Sequence, residues 1–428
     1  MILLWEAWRF YQRGDLLYIY HHEAFHFHYW GFSWVNPLPP IWMNVVLSLW
    51  ALAAFCVALG IFYRWTITCL GVVIAYFFLL EKAQYLNHFY LILVINAFLI
   101  LIPTNKTSIF KIKSSSGDNI YHQPIPKYYL LIMQSLIGLV YFYGGIAKIN
   151  PDWLDGLPLR LWYQNVDLGF FSSMISIEQF AYFASYAGLT LDLMVWPALL
   201  WRHTRWLAII GLVIFHLINT FTFSIGVFPW LMLWATILFL NENFLQKLAQ
   251  KLQFLNLMSR IPRKDLTPSA PPPPLSRLSQ TLVITLFISQ LLIPLRHHLI
   301  PGNVAWTEDG HKFSWRMKLR SKAGKIKIKM VHPVSGKTYP VPLEDFLSNR
   351  QIRKMSVRPD MIVELSHALA EDCGGLYPGI TCKIYVDSFI SLNGRPLQRY
   401  INDQLDMGQA QQLFLERSSF ILPEPKLY

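Results

Sequence analysis

The sequence predicts a mainly α, multi-pass transmembrane helical domain at 1–300, followed by a smaller mixed, largely β outer domain at 301–428. Three observations carry this. Of 428 residues, 54% are hydrophobic and only 14% are charged, with 16 Trp, 21 Tyr and 29 Phe, which is too apolar for an ordinary soluble domain. Apolar segments approaching the thickness of a bilayer recur through the first 300 residues. Beyond them the character changes, and residues 301–428 carry 18 Lys/Arg against 13 Asp/Glu.

The apolar segments lie at about residues 1–12, 41–63, 65–80, 86–103, 128–147, 179–200, 206–223, 225–240 and 280–297, a working count of nine crossings. The first lacks the basic flank of a signal peptide and reads either as the late part of a hydrophobic helix or as a short span. Loop charges then set the orientation. Alternate loops hold Arg64; Lys106, Lys111, Lys113 and Lys127; Arg202 and Arg205; and Lys247, Lys251, Arg260, Arg263 and Lys264. The opposite loops hold Glu23, Glu81, Asp152, Asp155 and Asp167 with few bases. The basic face is therefore expected to be cytoplasmic, which puts the N-terminus inside and the C-terminal domain outside. A Pro-rich linker at about 265–278, containing Pro271 to Pro274, precedes the last span.

In the outer domain, Lys325 to Met330 alternates with the strand period, Ser335-Gly336 marks a turn and Thr338 to Val341 is the expected return. Residues 359–371 read as a helix with Ile362, Leu365 and Leu369 near one face, and Cys382 to Ile390 reads as a strand before the Asn393-Gly394 turn. Lys325, Lys327 and Lys329 are expected on a solvated strand face. The formal charge of +12 does not indicate nucleic acid, because the basic residues sit in loops between apolar segments and do not interleave with aromatics on a soluble face. Cys56, Cys69, Cys373 and Cys382 show no metal-site spacing; Cys373 and Cys382 are candidates to pair in an oxidising compartment.

The polar residues inside the apolar region converge on one depth. Lys148 closes the 20-residue uncharged run Tyr128 to Ala147, and His88 follows Asn87 at the opening of the fourth segment. His216 and Asn219 occupy the outward half of the seventh segment, and His297 ends the last. All project toward the outer leaflet, and such convergence marks a site. Lys148 has two readings, a snorkelling anchor or a desolvated base able to take a proton from a weakly acidic hydroxyl such as that of a hydroquinone. Gly144-Gly145 before it admits a close backbone or a flat ligand. His21, His22, His26 and His28 resemble metal ligands in composition without a diagnostic spacing, and no metal is expected.

Five stretches carry a resemblance: Tyr143-Gly-Gly-Ile-Ala-Lys148-Ile-Asn-Pro-Asp-Trp153-Leu-Asp-Gly156, Glu81 to Leu91 around Asn87-His88, Phe215 to Pro229, Pro294-Leu-Arg-His297 with Trp306 and Trp315, and Tyr385 to Arg399. Together they resemble the vitamin K-dependent gamma-carboxylase family in its bacterial form, in order along almost the whole chain. The resemblance implies an enzyme that couples oxygenation of a reduced naphthoquinone, vitamin K hydroquinone or a relative, to carboxylation of protein glutamate. Molecular oxygen and carbon dioxide are the implied co-substrates, and membrane lipid and a Glu-containing protein or peptide on the outer face are the implied partners. Lys148 is the implied base, with His88 and Asn87 stabilising charged intermediates. His216, Asn219, His297, Asp192 and Tyr85 take supporting or substrate-binding places.

This chain departs from the animal members at several points. Ala147 stands where they have a second lysine, Tyr85 where they have a tryptophan, and no cysteine of the early outer loop matches their interdomain disulfide. Two alternatives stay open: a quinone epoxidase without protein carboxylation, and a non-enzymatic membrane binding or transport protein. Transport is disfavoured because no internal repeat is visible.

Overall fold

A computed structural model describes residues 1–12, 20, 24–102, 127–164, 175–223, 225–241, 243–245, 247–248, 251, 276–412 and 415–425. Most of the Pro-rich linker, together with His21, His22, Lys106, Lys111, Lys113, Arg260, Arg263 and Lys264, lies outside the described residues.

Each of the nine apolar segments is helical: α1 Ile2–Gln12, α2 Pro40–Leu59, α3 Tyr63–Leu80, α4 Asn87–Leu101, α5 Lys127–Lys148, α8 Ile177–Leu200, α9 Arg205–Thr222, α10 Phe228–Phe239 and α11 Arg277–His298. Two short helices, α6 Pro151–Leu154 and α7 Leu157–Tyr163, follow α5. The nine helices differ in length. Among the described residues six helices, α2, α3, α5, α8, α9 and α11, are long and apolar enough to cross a membrane. Asn87–Leu101 and Phe228–Phe239, α4 and α10, are shorter apolar helices, and 11 residues of α1 are described.

The centre of the membrane domain is α5. Its apolar window is 61% buried, against 11–33% for the other five long helices. Close approach of α8 explains this, because Gly138 lies beneath the Trp196 ring and Gly145 beneath Leu193, so a side chain at either position would force the helices apart. A capping box, Ser176 with Gln179, starts α8 on the outer side.

The outer domain is a four-stranded sheet of order β2-β1-β3-β4, with β1 Lys322–Val331, β2 Thr338–Pro340, β3 Lys383–Leu392 and β4 Gln398–Arg399. All its described pairings are antiparallel. The short helix α12 Val304–Thr307 precedes β1, and between β2 and β3 lie α13 Asn349–Met355 and α14 Pro359–Ala370. Ile362, Leu365 and Leu369 of α14 pack in one core with Ile328, Ile384, Val386 and Ile390. Lys325, Lys327 and Lys329 are exposed on the opposite face of β1, as alternation requires. Cys373 and Cys382 are joined in a disulfide that closes the connection from α14 to β3, while Cys56 and Cys69 are unpaired.

Three ties hold the domains together. The loop after α11 drives Trp315, fully buried, into the membrane-domain core beside Leu91 and Tyr143. Phe313, Trp315 and Lys318 of this loop have positive φ, a strained conformation that persists because the Trp315 ring is locked by packing. At the second tie, Asp152 of α6 accepts from Asn393 Nδ2 at 2.6 Å and pairs with Arg395 at the β3–β4 turn. At the third, Lys82 Nζ reaches Glu364 of α14 at 2.7 Å, and Glu81 receives Gln351 Nε2 at 2.9 Å. The histidine-rich stretch belongs to this junction: His26 Nδ1 lies 3.3 Å from Glu81 and His28 Nδ1 3.5 Å from Glu364. The hydrogen bond to Glu364 raises His28 above the usual histidine range.

Candidate active site

At the junction of the two domains a cavity of about 940 Å³ opens, with an apolar membrane half and a cationic outer-domain half. Lys148 reaches it from the last turn of α5. Its side chain is buried, and Nζ donates to Asp192 Oδ2 of α8 at 2.5 Å and to Gly144 O at 3.3 Å. The ammonium also lies 5.2 Å from the centre of the Trp153 ring, and that ring is fixed by its own Nε1 donating to Ser185 O at 3.0 Å. Sequence makes this possible locally. A methyl group at Gly144 would sit 3.0 Å from Asp192 Oδ2, closer than an ordinary contact, so glycine there leaves space for the pair. Asp192 Oδ1 is buried without a partner, which leaves Lys148 as the main compensation for that carboxylate.

Across the cavity, Asn87 and His88 open α4 and both line the wall. The Phe228 ring stands between two histidines, 6.2 Å from His88 and 6.1 Å from His216. His216 Nε2 is 2.8 Å from Tyr141 Oη, and its Nδ1 is buried without a partner. Asn219, one turn beyond His216 on α9, lines the same space. Arg9 enters from α1, paired with Glu6 at 2.5 Å, and Gly226 makes room for its guanidinium.

Two expected residues stand behind the lining. Tyr85 donates to Asn87 Oδ1 at 2.8 Å and accepts the Phe313 N–H at 2.8 Å, so it orients Asn87 from the domain junction. His297 faces Arg316, with Nε2 3.4 Å from Nη1, and Arg316 is what lines the cavity. The reason is steric: Gly310 packs on the His297 backbone and holds the ring against the loop that carries Arg316. Among the described residues no group of three or more His, Cys, Asp or Glu is arranged to hold a metal ion.

The HTTM domain family matches residues 1–244, and the family described as vitamin K-dependent gamma-carboxylase, lumenal domain, matches residues 275–426. The two matches meet the two halves of the cavity. This chain belongs to the vitamin K-dependent gamma-carboxylase family. No solved structure matches it. As a member of the gamma-carboxylase family it is carboxylase-like and an integral membrane protein with an extracytoplasmic C-terminal domain.

What the sequence pattern missed is the outer-domain half of the gamma-carboxylase-family cavity. Arg316, Lys318 and Arg320 line it from the strained loop, Lys322 from the start of β1, and Arg350, Lys354 and Arg358 from α13 and the turn after it. The signal was present as cations at every second position from 316 to 322, a strand-like period directly after the last span. A second, largely apolar groove of about 730 Å³ runs between α8 and α9 toward the lipid-facing side, and Phe183, Ala187, Leu191 and Gly211 line both spaces.

Proposed function

We propose that this protein is a quinol-dependent glutamyl carboxylase, and that the buried Lys148–Asp192 pair facing the cavity is its proton-handling centre. The observation that carries the proposal is the pair itself: an amine bonded at 2.5 Å to a carboxylate whose other oxygen has no partner. Moving a proton from Nζ to Oδ2 removes both buried charges and leaves a free lone pair on Nζ, ready for the proton of a quinol hydroxyl.

The cavity fits a reduced naphthoquinone. Its volume lies in the range of small-molecule sites, its membrane half is aromatic, and the buried Nδ1 of His216 lacks a partner that a ligand oxygen supplies. With oxygen, the quinol supplies the strong base that removes a γ-proton from glutamate before carbon dioxide adds. The chain's own residues do the rest. Lys148 takes the first proton, Asn87 and His88 donate to oxyanions on the facing wall, and Tyr85 sets the orientation of Asn87. His216 holds a ring oxygen, oriented by Tyr141. The groove between α8 and α9 lets an apolar tail extend into lipid while the ring stays in the cavity. In this reading the N-terminus is cytoplasmic and the cavity opens to the outer face.

Purified full-length protein in detergent, given reduced naphthoquinone, oxygen, labelled carbon dioxide and a Glu-containing peptide, forms both the epoxide and labelled γ-carboxyglutamate. Epoxide without fixed label selects the epoxidase alternative. Neither product, under conditions where a verified family member is active, refutes the proposal.

A further inference from the structure

The quinol chemistry proposed above uses none of the cations in the outer-domain half of the cavity. Of the described carboxylates, Glu6 and Asp192 line the cavity, both in the membrane half and both already paired, with Arg9 and Lys148. On the outer-domain side, Glu308 is shared between Arg320 and Lys322. Asp360, the nearest acid in sequence to Arg358, is taken by Lys312 and Lys82. Arg316, Lys318, Lys354 and Arg358 make no ion pair among the described residues.

These four come as two Arg/Lys sets along the chain, Arg316 with Lys318 in the loop after α11 and Lys354 with Arg358 at the end of α13 and the turn after it. Arg316 is more than nine-tenths buried, and beyond its contact with His297 its Nε has no partner. Lys318 rests over the Phe223 and Trp162 rings at 4.4 and 5.3 Å. On the other side Arg358 has a buried, unpartnered Nη1. Lys354 is pushed down to about 8 by burial, then by Arg358, Arg350, Arg353 and Lys318. Like charges crowded into a closed space repel, and an anion relieves that repulsion.

We propose that the two sets form a binding site for an acidic peptide segment that brings two carboxylates into the cavity at once, the reacting glutamate and a second acidic side chain. Each set offers a planar guanidinium and an ammonium, which suits one carboxylate. A single carboxylate leaves one set uncompensated. The four cations line the cavity that holds Lys148, and none of them lines the groove between α8 and α9, which favours a peptide over a phospholipid headgroup. The proposal rests on the carboxylase reading for the identity of the reacting glutamate, but binding itself needs no turnover.

The test is fluorescence anisotropy with the full chain in phosphatidylcholine nanodiscs, without quinol. The probes are three labelled peptides alike except at two positions: Glu and Glu, Glu and Gln, or Gln and Gln. The expected order of affinity follows carboxylate number, with about a tenfold gain or more for each, weakening as salt rises. Lys354→Gln and Arg358→Gln each weaken the two-Glu peptide about 10- to 100-fold. Lys325→Gln, on the exposed strand face, leaves it unchanged.

Equal binding of all three peptides overturns the proposal, and so does a gain from the first glutamate with none from the second. An equal loss in Lys325→Gln means general surface charge and overturns it too. Should either glutamine variant fail to fold, Arg358→Lys replaces it and is expected to lose part of the affinity; full affinity there counts against the bidentate contact. If phosphatidylglycerol nanodiscs abolish peptide binding in the wild type while Lys354→Gln does not weaken it, the site is one for lipid headgroups and the proposal fails. Carboxylation failing while the peptide order holds sinks the carboxylase reading and leaves this site standing.

Discussion

Replacing Lys148 separates its chemical role from its structural one. The Nζ–Oδ2 distance of 2.5 Å corresponds to about 7 kcal/mol of attraction at an effective dielectric constant of ~20. Lys148→Met removes that attraction and leaves a buried carboxylate with neither oxygen compensated, a loss of about 3–5 kcal/mol. Turnover of quinol falls by about 10²- to 10⁴-fold with loss of the general base. The double variant Lys148→Met/Asp192→Leu removes the stranded charge as well, and stability returns to that of the wild type or rises above it by about 1–4 kcal/mol. Turnover does not return. Epoxide formation and thermal unfolding in the same detergent preparation read the two effects, and Lys148→Ala with an added small amine regains part of the rate. Recovery of turnover in the double variant would show that Lys148 only balances Asp192, and would refute its role as a base.

Three further outcomes follow from the geometry. Asp152→Asn removes the charge partner of Arg395 at the turn that clamps α6 beside Lys148; it costs about 1.5–3 kcal/mol of stability and lowers turnover per folded molecule, whereas unchanged turnover would limit the tie to domain docking. Gly211→Leu narrows the passage between cavity and groove, so the KM for a long-tailed quinol rises several-fold while that for a tailless quinol holds; equal effects on both would exclude the groove as the tail's path. Acid weakens the outer domain: burial acts to raise Glu308 and Asp360, but Arg320 and Lys322 overcome this for Glu308, and Lys312 and Lys82 for Asp360, holding both below the usual carboxylate range. Since the folded values lie below unfolded ones of about 4, this stability is full above that pH and erodes as pH falls toward the folded values. Glu308→Gln should flatten that limb in a circular-dichroism titration, and an unaltered limb contradicts the assignment.

Much of this arrangement was legible in the residues. Hydropathy located all nine helices, because an apolar segment in lipid must satisfy its backbone internally. It did not separate span-length helices from shorter ones, since α4 and α10 are as apolar as their neighbours. Lys148, Asn87, His88, His216 and Asn219 were found by their shared depth, and depth is a one-dimensional quantity that a sequence records. His297 shares that depth and Tyr85 came only from the resemblance, but both stand one contact back, and nothing in a linear pattern reports which way a ring turns. The direct bond from Asp192 to Lys148 depends on helix-to-helix register set by Gly145 against Leu193, a tertiary fact. The outer-domain cations were missed for a related reason: their alternation suggests a solvated strand, and the buried Trp315 turns that loop into the cavity instead.

The central claim is that one cavity joins quinol oxidation to carbon–carbon bond formation. Epoxide and γ-carboxyglutamate measured together, from the same purified sample over time, test it most directly. The account predicts that both products form and that both are lost in Lys148→Met. Epoxide formed without any carboxylated peptide, or carboxylation that persists in Lys148→Met, would contradict it.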